Sequence, residues 1–381
     1  MGVEPKHGRI ARELLAELAA GKYAAMGGRL PSEAQLVGRF GVSRPTVARA
    51  LRDLQERGLV ERRAGSGTFA RAANAPELAA RQFGLLIPGL GTTVVFEAIC
   101  GELAGLARAQ GYGLLWGGGA ARPPGDLDAD DAADLCDQFI RGRVAGVFFV
   151  PFEHPRRREA LNRALADRLR HAGIAVVLLD RDLAPFPSRS DYDLVGVDNF
   201  NGGYRLADHL LKLGCRSLAY ATRPDAASAV DARAAGARAA MLDRGLAVSP
   251  DFVRAGDPDD PEFAGRFRGR GEVEAVLCAN DDLAARLLRA LDRAGARAPG
   301  AIRVVGFDDA PIAALLPVPL TTIRQPCRDL AVVALRTMLD RIGEPALPPR
   351  AIALAPGLVV RESCGAYLGP IPGRGSAGGS G

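Results

Sequence analysis

Polar side chains stand where several apolar runs of the chain stop. Asp180 follows Val176–Leu179, Asp198-Asn199 follows Leu194–Val197, Asn280-Asp281 comes soon after Ala275–Cys278, and Asp308-Asp309 follows Val304–Phe307. If those runs are parallel strands, side chains at their carboxyl ends converge on a crevice outside the sheet. Asp and Asn there can meet the hydroxyls of a polyhydroxylated ligand such as a sugar, although any single one also fits a turn or helix cap leaving the strand. A second constellation is cationic: Ser43-Arg44-Pro45-Thr46, then Arg49 and Arg52, then Arg62-Arg63 ahead of Gly65 and Gly67. A guanidinium has the fork geometry for guanine O6 and N7, and serine and threonine hydroxyls suit phosphates or bases.

Other chemistries find less support. The six cysteines (Cys100, Cys136, Cys215, Cys278, Cys327, Cys364) contain no Cys-x-x-Cys pair, and the four histidines are dispersed, so neither a disulfide framework nor a metal site is indicated. A Schiff-base cofactor needs a lysine, and beyond residue 22 only Lys212 remains, inside a helix. Gly89-x-Gly91 is too short for a phosphate-binding loop, and no Gly-Lys-Ser/Thr exists. Asp281/Asp282 and Asp308/Asp309 could be an acid/base set, but adjacent residues on an extended segment point opposite ways and offer a cleft one carboxylate each. The reading is therefore a protein with no cofactor and no catalytic residues, the alternative being a DNA-binding head fused to an enzymatic α/β domain.

The cationic constellation sits in a distinct module. Residues 1–75 hold 13 Lys or Arg against 7 Asp or Glu, whereas the remaining residues hold 36 against 37, so the whole net charge of +5 comes from the first fifth of the chain. A basic module on a near-neutral body is the footprint of binding a polyanion through one end, and equally of a solvated charged face. The elements agree with the first. Ile10, Leu14, Leu15 and Leu18 stripe one helix. Ser32 and Gln35 form a capping-box spacing that starts a second. Gly41 breaks it, and Ser43 can cap a third with Pro45 in its first turn. Val47, Leu51 and Leu54 are that helix's buried stripe, Gly58 is placed to cap its end, and strands at Leu59–Arg63 and Thr68–Ala70 flank a tight turn. This is a winged helix-turn-helix, with Arg44 at the end of the recognition helix that meets base edges.

Beyond a polar, Ala-rich connector (71–82), unbroken apolar runs alternate with helical stretches, which predicts buried parallel sheets. About 285 residues are more than one sheet needs, so the body is expected as two α/β lobes facing each other. No apolar run approaches the about 20 residues a membrane helix requires, and charges interrupt the N-terminus where a secretory signal would be apolar, which predicts a cytoplasmic protein.

Leu30-Pro31-Ser32-Glu33, Phe40-Gly41-Val42-Ser43-Arg44-Pro45-Thr46-Val47, Leu51-Arg52-Asp53-Leu54 and Gly58-Leu59-Val60-Glu61-Arg62-Arg63-Ala64-Gly65-Ser66-Gly67-Thr68-Phe69 resemble the DNA-binding module of GntR-type regulators. The resemblance implies DNA contacts from Ser32, Ser43, Arg44, Thr46, Arg49, Arg62, Arg63, Gly65 and Gly67. Ala34 and Ala48 stand where that family often has basic, backbone-contacting residues, which leaves more of the contact to Arg44 and Arg49.

Gly202-Gly203-Tyr204-Arg205-Leu206-Ala207-Asp208-His209-Leu210, Ala279-Asn280-Asp281, Val305-Gly306-Phe307-Asp308-Asp309 and Pro319-Leu320-Thr321-Thr322-Ile323-Arg324-Gln325-Pro326 resemble the effector domain of LacI/GalR regulators, whose fold is that of periplasmic sugar-binding proteins. By that resemblance Asp180 lines the cleft from lobe one, Arg233 fixes the ligand from lobe two, and Asn280, Asp308 and Gln325 hydrogen-bond it. Phe96 packs on its apolar face, and His209 is structural. The chain lacks the family's Asn-Pro-aromatic cluster at 88–96, and Pro258 replaces an aromatic, with Phe263 the nearest substitute.

The expected organisation is a winged helix-turn-helix over 1–72, a linker over 73–82, and a LacI-like effector body over 83–366. Lobe one takes about 83–192 and 327–354, lobe two about 193–326 and 355–366, and 367–381 form a disordered Gly/Ser-rich tail. The expected function is a ligand-responsive regulator, a homodimer on palindromic double-stranded operator DNA, with a carbohydrate effector, no membrane and no metal.

Overall fold

The computed structural model describes residues 6–19, 22–23, 28–56, 59–63, 66–70, 81–88, 94–116, 129–153, 155–224, 226–267 and 273–368. Gly58, Gly65, residues 73–80 of the expected linker and 369–381 of the expected tail lie outside them. The chain divides into two compact units: residues 1–82 with 141–145, and the remainder.

The first unit runs α1 (Lys6–Ala19), α2 (Glu33–Phe40), α3 (Arg44–Glu56) and a hairpin of β1 (Val60–Arg63) and β2 (Gly67–Ala70). Ile10, Leu14, Leu36, Val47, Ala50 and Leu54 form one core, because the 3.6-residue spacing gives each helix a single apolar stripe. Burying each of the larger side chains stabilises the unit by about 1.5–3 kcal/mol. The capping box at the start of α2 is formed: Gln35 N–H donates to Ser32 Oγ at 3.3 Å, and Ser32 N–H donates to Gln35 Oε1 at 2.8 Å. Gly41 ends the helix at φ 61°, a left-handed conformation that favours glycine. Glu17 of α1 accepts both arms of Arg39 of α2 at 2.9 and 2.6 Å, and this pairing holds the carboxyl far below the ordinary glutamate range. The hairpin is antiparallel, pairing Val60 with Ala70 and Arg63 with Gly67. Three helices and a wing follow, as the sequence predicts.

The second unit holds two parallel sheets. Its elements are β3 (Gln82–Leu86), α4 (Val94–Ala109), β4 (Gly113–Trp116), α5 (Ala129–Gly142), β5 (Gly146–Phe149), α6 (Pro155–His171), β6 (Ala175–Leu179), β7 (Asp193–Val197), α7 (Asn199–Lys212), β8 (Leu218–Thr222), α8 (Ser228–Asp243), β9 (Val253–Ala255), α9 (Pro261–Gly265), β10 (Ala275–Cys278), α10 (Asp281–Arg293), β11 (Arg303–Val305), α11 (Pro311–Leu315), β12 (Thr322–Arg324), α12 (Cys327–Gly343), β13 (Ala351–Leu354) and β14 (Gly357–Val359). One sheet has the order β13-β7-β6-β5-β3-β4, the other β11-β10-β8-β9, and β12 pairs with β14. In the second sheet Tyr220, Leu277 and Val305 face one apolar cluster with α7 and α8, while Ala219, Val276 and Val304 face another with α9 and α10. Burial on both faces is why these strands read as unbroken apolar runs.

One boundary differs from expectation. Lobe two was expected from about residue 193, yet Asp193–Val197 is a strand of the six-stranded sheet, parallel to β6 and β13. Its buried Asp193 carboxylate takes Arg341 Nε and Arg350 N–H, both at 2.8 Å, which locks the strand to the end of α12 and the segment after it. The chain therefore crosses between lobes after Val197, and again between Arg324 and Cys327 and between Leu354 and Gly357. The strands β9, β12, β13 and β14 are three or four residues long, too short for a periodicity to reveal.

Two glycines bring α7 and α8 together. A Cβ on Gly203 would lie 1.9 Å from the Arg233 carbonyl oxygen, and one on Gly236 would lie 1.9 Å from that of Phe200. Among the described residues no helix is long and apolar enough to cross a membrane.

Candidate functional sites

At the head, Arg44 is the first residue of α3, and Thr46 and Val47 N–H donate to the Ser43 carbonyl at 3.0 and 3.2 Å. The Ser43 hydroxyl does not cap a backbone amide; it pairs with the Thr46 hydroxyl at 2.8 Å. Arg44, Arg49, Arg62 and Arg63 are exposed, as are Ser32, Ser43 and Gly67. Gly67 has φ 112°, a backbone conformation that favours glycine. Gly65 is outside the described residues. Arg63 lies over the Phe69 ring at 4.8 Å and donates to Glu61 at 2.7 Å. One contributor escaped sequence reading. Glu33 accepts Arg44 Nε at 3.1 Å and also pairs with Arg62, so one carboxylate links the recognition helix to the wing. The pattern Leu-Pro-Ser-Glu placed Glu33 in the first turn of α2, but no local signal gives its partners 11 and 29 residues away.

In the body, three candidates meet around Asp308. Gln325 Nε2 donates to Asp308 Oδ1 at 2.7 Å. Burial raises the Asp308 carboxyl to about 6, with the guanidinium of Arg233 opposing that rise and Asp180 adding to it. Asp180 and Asp308 have φ 67° and 119°, left-handed conformations that turn the chain off the strand end and are uncommon outside glycine. Arg233 is 6% exposed. It is held on three sides: Nε donates to Asn199 Oδ1 and Nη1 to the Ala279 carbonyl, both at 2.7 Å, with the guanidinium 3.7 Å from the Phe307 ring centre. Nη2 has no protein partner among the described residues.

The other candidates stand further out. Asn280 caps α10, its Oδ1 accepting Leu283 N–H at 2.9 Å, which is the helix-cap alternative realised. Phe96 is buried in α4, with Arg181 5.7 Å from its ring centre. Arg181, unforeseen although it follows Asp180, donates to Asp180 at 3.1 Å and to Glu153 at 2.9 Å. A cavity of about 110 Å³ opens beside this group, lined by Asp180, Arg181 and Ala353 from one lobe and Asn199, Ser228 and Ala232 from the other.

Two readings are corrected. Asp308 and Asp309 are not on an extended segment, since both have positive φ. They diverge all the same: Asp309 turns to Arg324 and Arg361 at 2.6 Å each. Of the other pair, Asp281 is buried, accepting the Thr322 hydroxyl at 2.6 Å and Ala310 N–H at 2.8 Å, and burial raises it to about 7. Phe263 does not reach the cleft. It is 3% exposed and packs edge-on against Phe267 at 5.2 Å, with Gly256 against its ring. His209 is half-buried in the second lobe, with Nε2 3.3 Å from Cys364 Sγ, and burial lowers its pKa. No cluster of three metal-ligating side chains occurs among the described residues.

Two family models match the chain: "Bacterial regulatory proteins, gntR family" over 6–70 and "Periplasmic binding protein-like domain" over 207–364. An arabinose metabolism transcriptional repressor of Geobacillus stearothermophilus is 27% identical over 379 residues, spanning 94% of this chain and 97% of that protein. The ribose operon repressor of Escherichia coli K12 is 30% identical over 235 residues, 60% of this chain and 67% of its own. Among solved structures, a complex of the transcriptional regulator CelR with cellobiose superposes with a TM-score of 0.63 at 24% identity, covering 84% of this chain and 91% of that one. A LacI-family regulator of Sanguibacter keddieii gives 0.56 at 26% identity, covering 74% and 99%.

Proposed function

We propose that this chain, which belongs to the transcriptional regulators that join a GntR-type head to a LacI-like, periplasmic-binding-protein-like body, is a sugar-responsive repressor acting as a cytoplasmic homodimer on palindromic operator DNA. The observation that carries the sugar reading is the Asp308 site. A carboxylate (Asp308) bonded to an amide (Gln325) lies within electrostatic reach of the guanidinium of Arg233, whose Nη2 has no protein partner among the described residues, and of Asp180 and Arg181 on the other lobe. Such a set donates and accepts in several directions, which suits hydroxyl groups. Relatives named for arabinose and ribose, and a neighbour holding cellobiose, support the same class.

In this reading Arg44 reads a guanine edge, Ser32, Ser43, Thr46 and Arg49 meet phosphates or bases, and Arg62, Arg63, Gly65 and Gly67 bring the wing to the backbone. Asp180, Arg233, Asn280, Asp308 and Gln325 hold the sugar and Phe96 packs on it. The effector biases the angle between the lobes and thereby the spacing of two heads, a coupling typically of about 1–3 kcal/mol. The body holds a ligand and does not transform it. A thermal-shift panel of arabinose, ribose, cellobiose and other mono- and disaccharides tests the effector class: at least one sugar should raise the Tm of the wild type and leave that of Asp308→Ala where it was. No shift with any sugar contradicts the sugar reading.

A further inference from the structure

We propose that Asn199 is a positioning residue that couples the lobe angle to the aim of Arg233, an inference resting on the effector reading above. Asn199 is the first residue of α7, directly past the point where the chain leaves β7 for the second lobe. It is 8% exposed and both halves of its amide are used. Oδ1 accepts Arg233 Nε at 2.7 Å, and Nδ2 donates to the Val197 carbonyl at 3.1 Å. Val197 is the last residue of β7 and belongs to the six-stranded sheet of lobe one, pairing with Leu354. Asn199 and Arg233 belong to lobe two. One small side chain thus spans the crossover, with its acceptor on the guanidinium and its donor on the strand of the opposite lobe.

An amide cannot rotate one end without the other. When the lobes turn about the crossovers, the Val197 carbonyl moves with lobe one, and the Nδ2 bond pulls Asn199 and its Oδ1 along. Among the described residues Arg233 is otherwise held by the Ala279 carbonyl and the Phe307 face, so its Nε is the contact that reports this rotation. Conversely, a ligand that draws Arg233 biases the angle of β7. This is a two-ended link with an identified donor and acceptor, whose coupling is measurable by separating its ends.

Asn199→Asp makes that separation. Aspartate keeps an acceptor for Arg233 but replaces the N–H donor to Val197 with an oxygen that repels the carbonyl. Asn199→Ala removes both ends. In the sugar-free protein, hydrogen–deuterium exchange is expected to rise in peptides spanning 194–203 for Asn199→Asp, with 228–236 as in the wild type, and to rise in both for Asn199→Ala. With the sugar that gives the largest Tm shift, Asn199→Asp should bind within about threefold of wild type yet lose at least fivefold of the sugar's effect on operator affinity. Asn199→Ala should lose both. A wild-type exchange pattern in both variants, or a full operator response in Asn199→Asp, overturns the proposal. If no sugar binds the wild type, the effector reading fails while the exchange data still decide the coupling. Circular dichroism melts of each variant separate these outcomes from global unfolding.

Discussion

At the scale of single residues, the body's site is governed by desolvation. Asp308 is raised to about 6 by burial, only partly offset by Arg233 and Gln325. A carboxyl whose folded pKa exceeds its unfolded value binds more protons in the folded state between the two, so its contribution to stability falls as pH rises from about 4 to about 6 and stays lost above. Asp308→Asn, which keeps an acceptor for Gln325, should therefore raise Tm relative to wild type at pH 8 and leave it nearly equal at pH 4, with an upper bound of about 3 kcal/mol. Paired melts at the two pH values check this; an equal offset at both contradicts it. The sign reverses for ligand: hydroxyl donors need the ionised carboxylate, so sugar affinity should fall as pH drops below about 6, which calorimetric titration at pH 5 and pH 8 would measure. The residues proposed to carry this chemistry were legible where a strand end and a family pattern coincided, as at Asp180 and Asp308, and Gln325 by the family pattern alone. Asn199 was legible only as a polar residue at a strand end; its pairing with Arg233, like the contacts of Arg181 and Phe307, comes from segments brought up by the fold, and one-dimensional spacing carries no trace of that.

At the scale of elements, the two close approaches are a carboxylate in the head and a glycine crossing in the body. Glu33 holds Arg44 by Nε and also pairs with Arg62; under the proposed function this leaves the terminal nitrogens of Arg44 for a base edge and subtracts a charge from the surface proposed to face phosphates. Glu33→Gln should bind random-sequence duplex more tightly at low salt and discriminate operator from random duplex about tenfold less, as read by fluorescence anisotropy across a salt series. Equal changes on both DNAs would reduce Glu33 to a bulk charge. In the body, Gly236→Ala would place a methyl 1.9 Å from the Phe200 carbonyl oxygen, a backbone clash that only separation of α7 and α8 relieves. Overpacking of this kind costs about 1–3 kcal/mol or more, and the same shift carries Arg233 away from Asn199. A lower Tm together with weaker sugar binding is expected, and a melt matching wild type would contradict the packing. Longer elements were legible because burial imposes a period: the strands β6 and β8 and the three helices of the head lie where apolar runs and capping residues put them. The lobe boundary was not. β7 looks like any buried strand, and its membership of the first sheet is fixed by Asp193 reaching Arg341 and Arg350, about 150 residues further on.

At the scale of the whole molecule, the positive excess of the first fifth of the chain and the near-neutral two-lobed body divide the work into reading DNA and sensing a small molecule. The claim that joins them is that the second governs the first, and operator binding with and without sugar tests it most directly. The full-length protein is titrated against a duplex selected from a random library by the wild type, alone and with the sugar of largest Tm shift, alongside Arg44→Ala and Asp308→Ala. The wild type should bind the selected duplex and change affinity at least fivefold with sugar. Arg44→Ala should lose about 1–3 kcal/mol per half-site, and Asp308→Ala should bind DNA but ignore the sugar. A wild type that does not distinguish the selected duplex from random DNA, or an Asp308→Ala protein that still responds to sugar, would contradict the account.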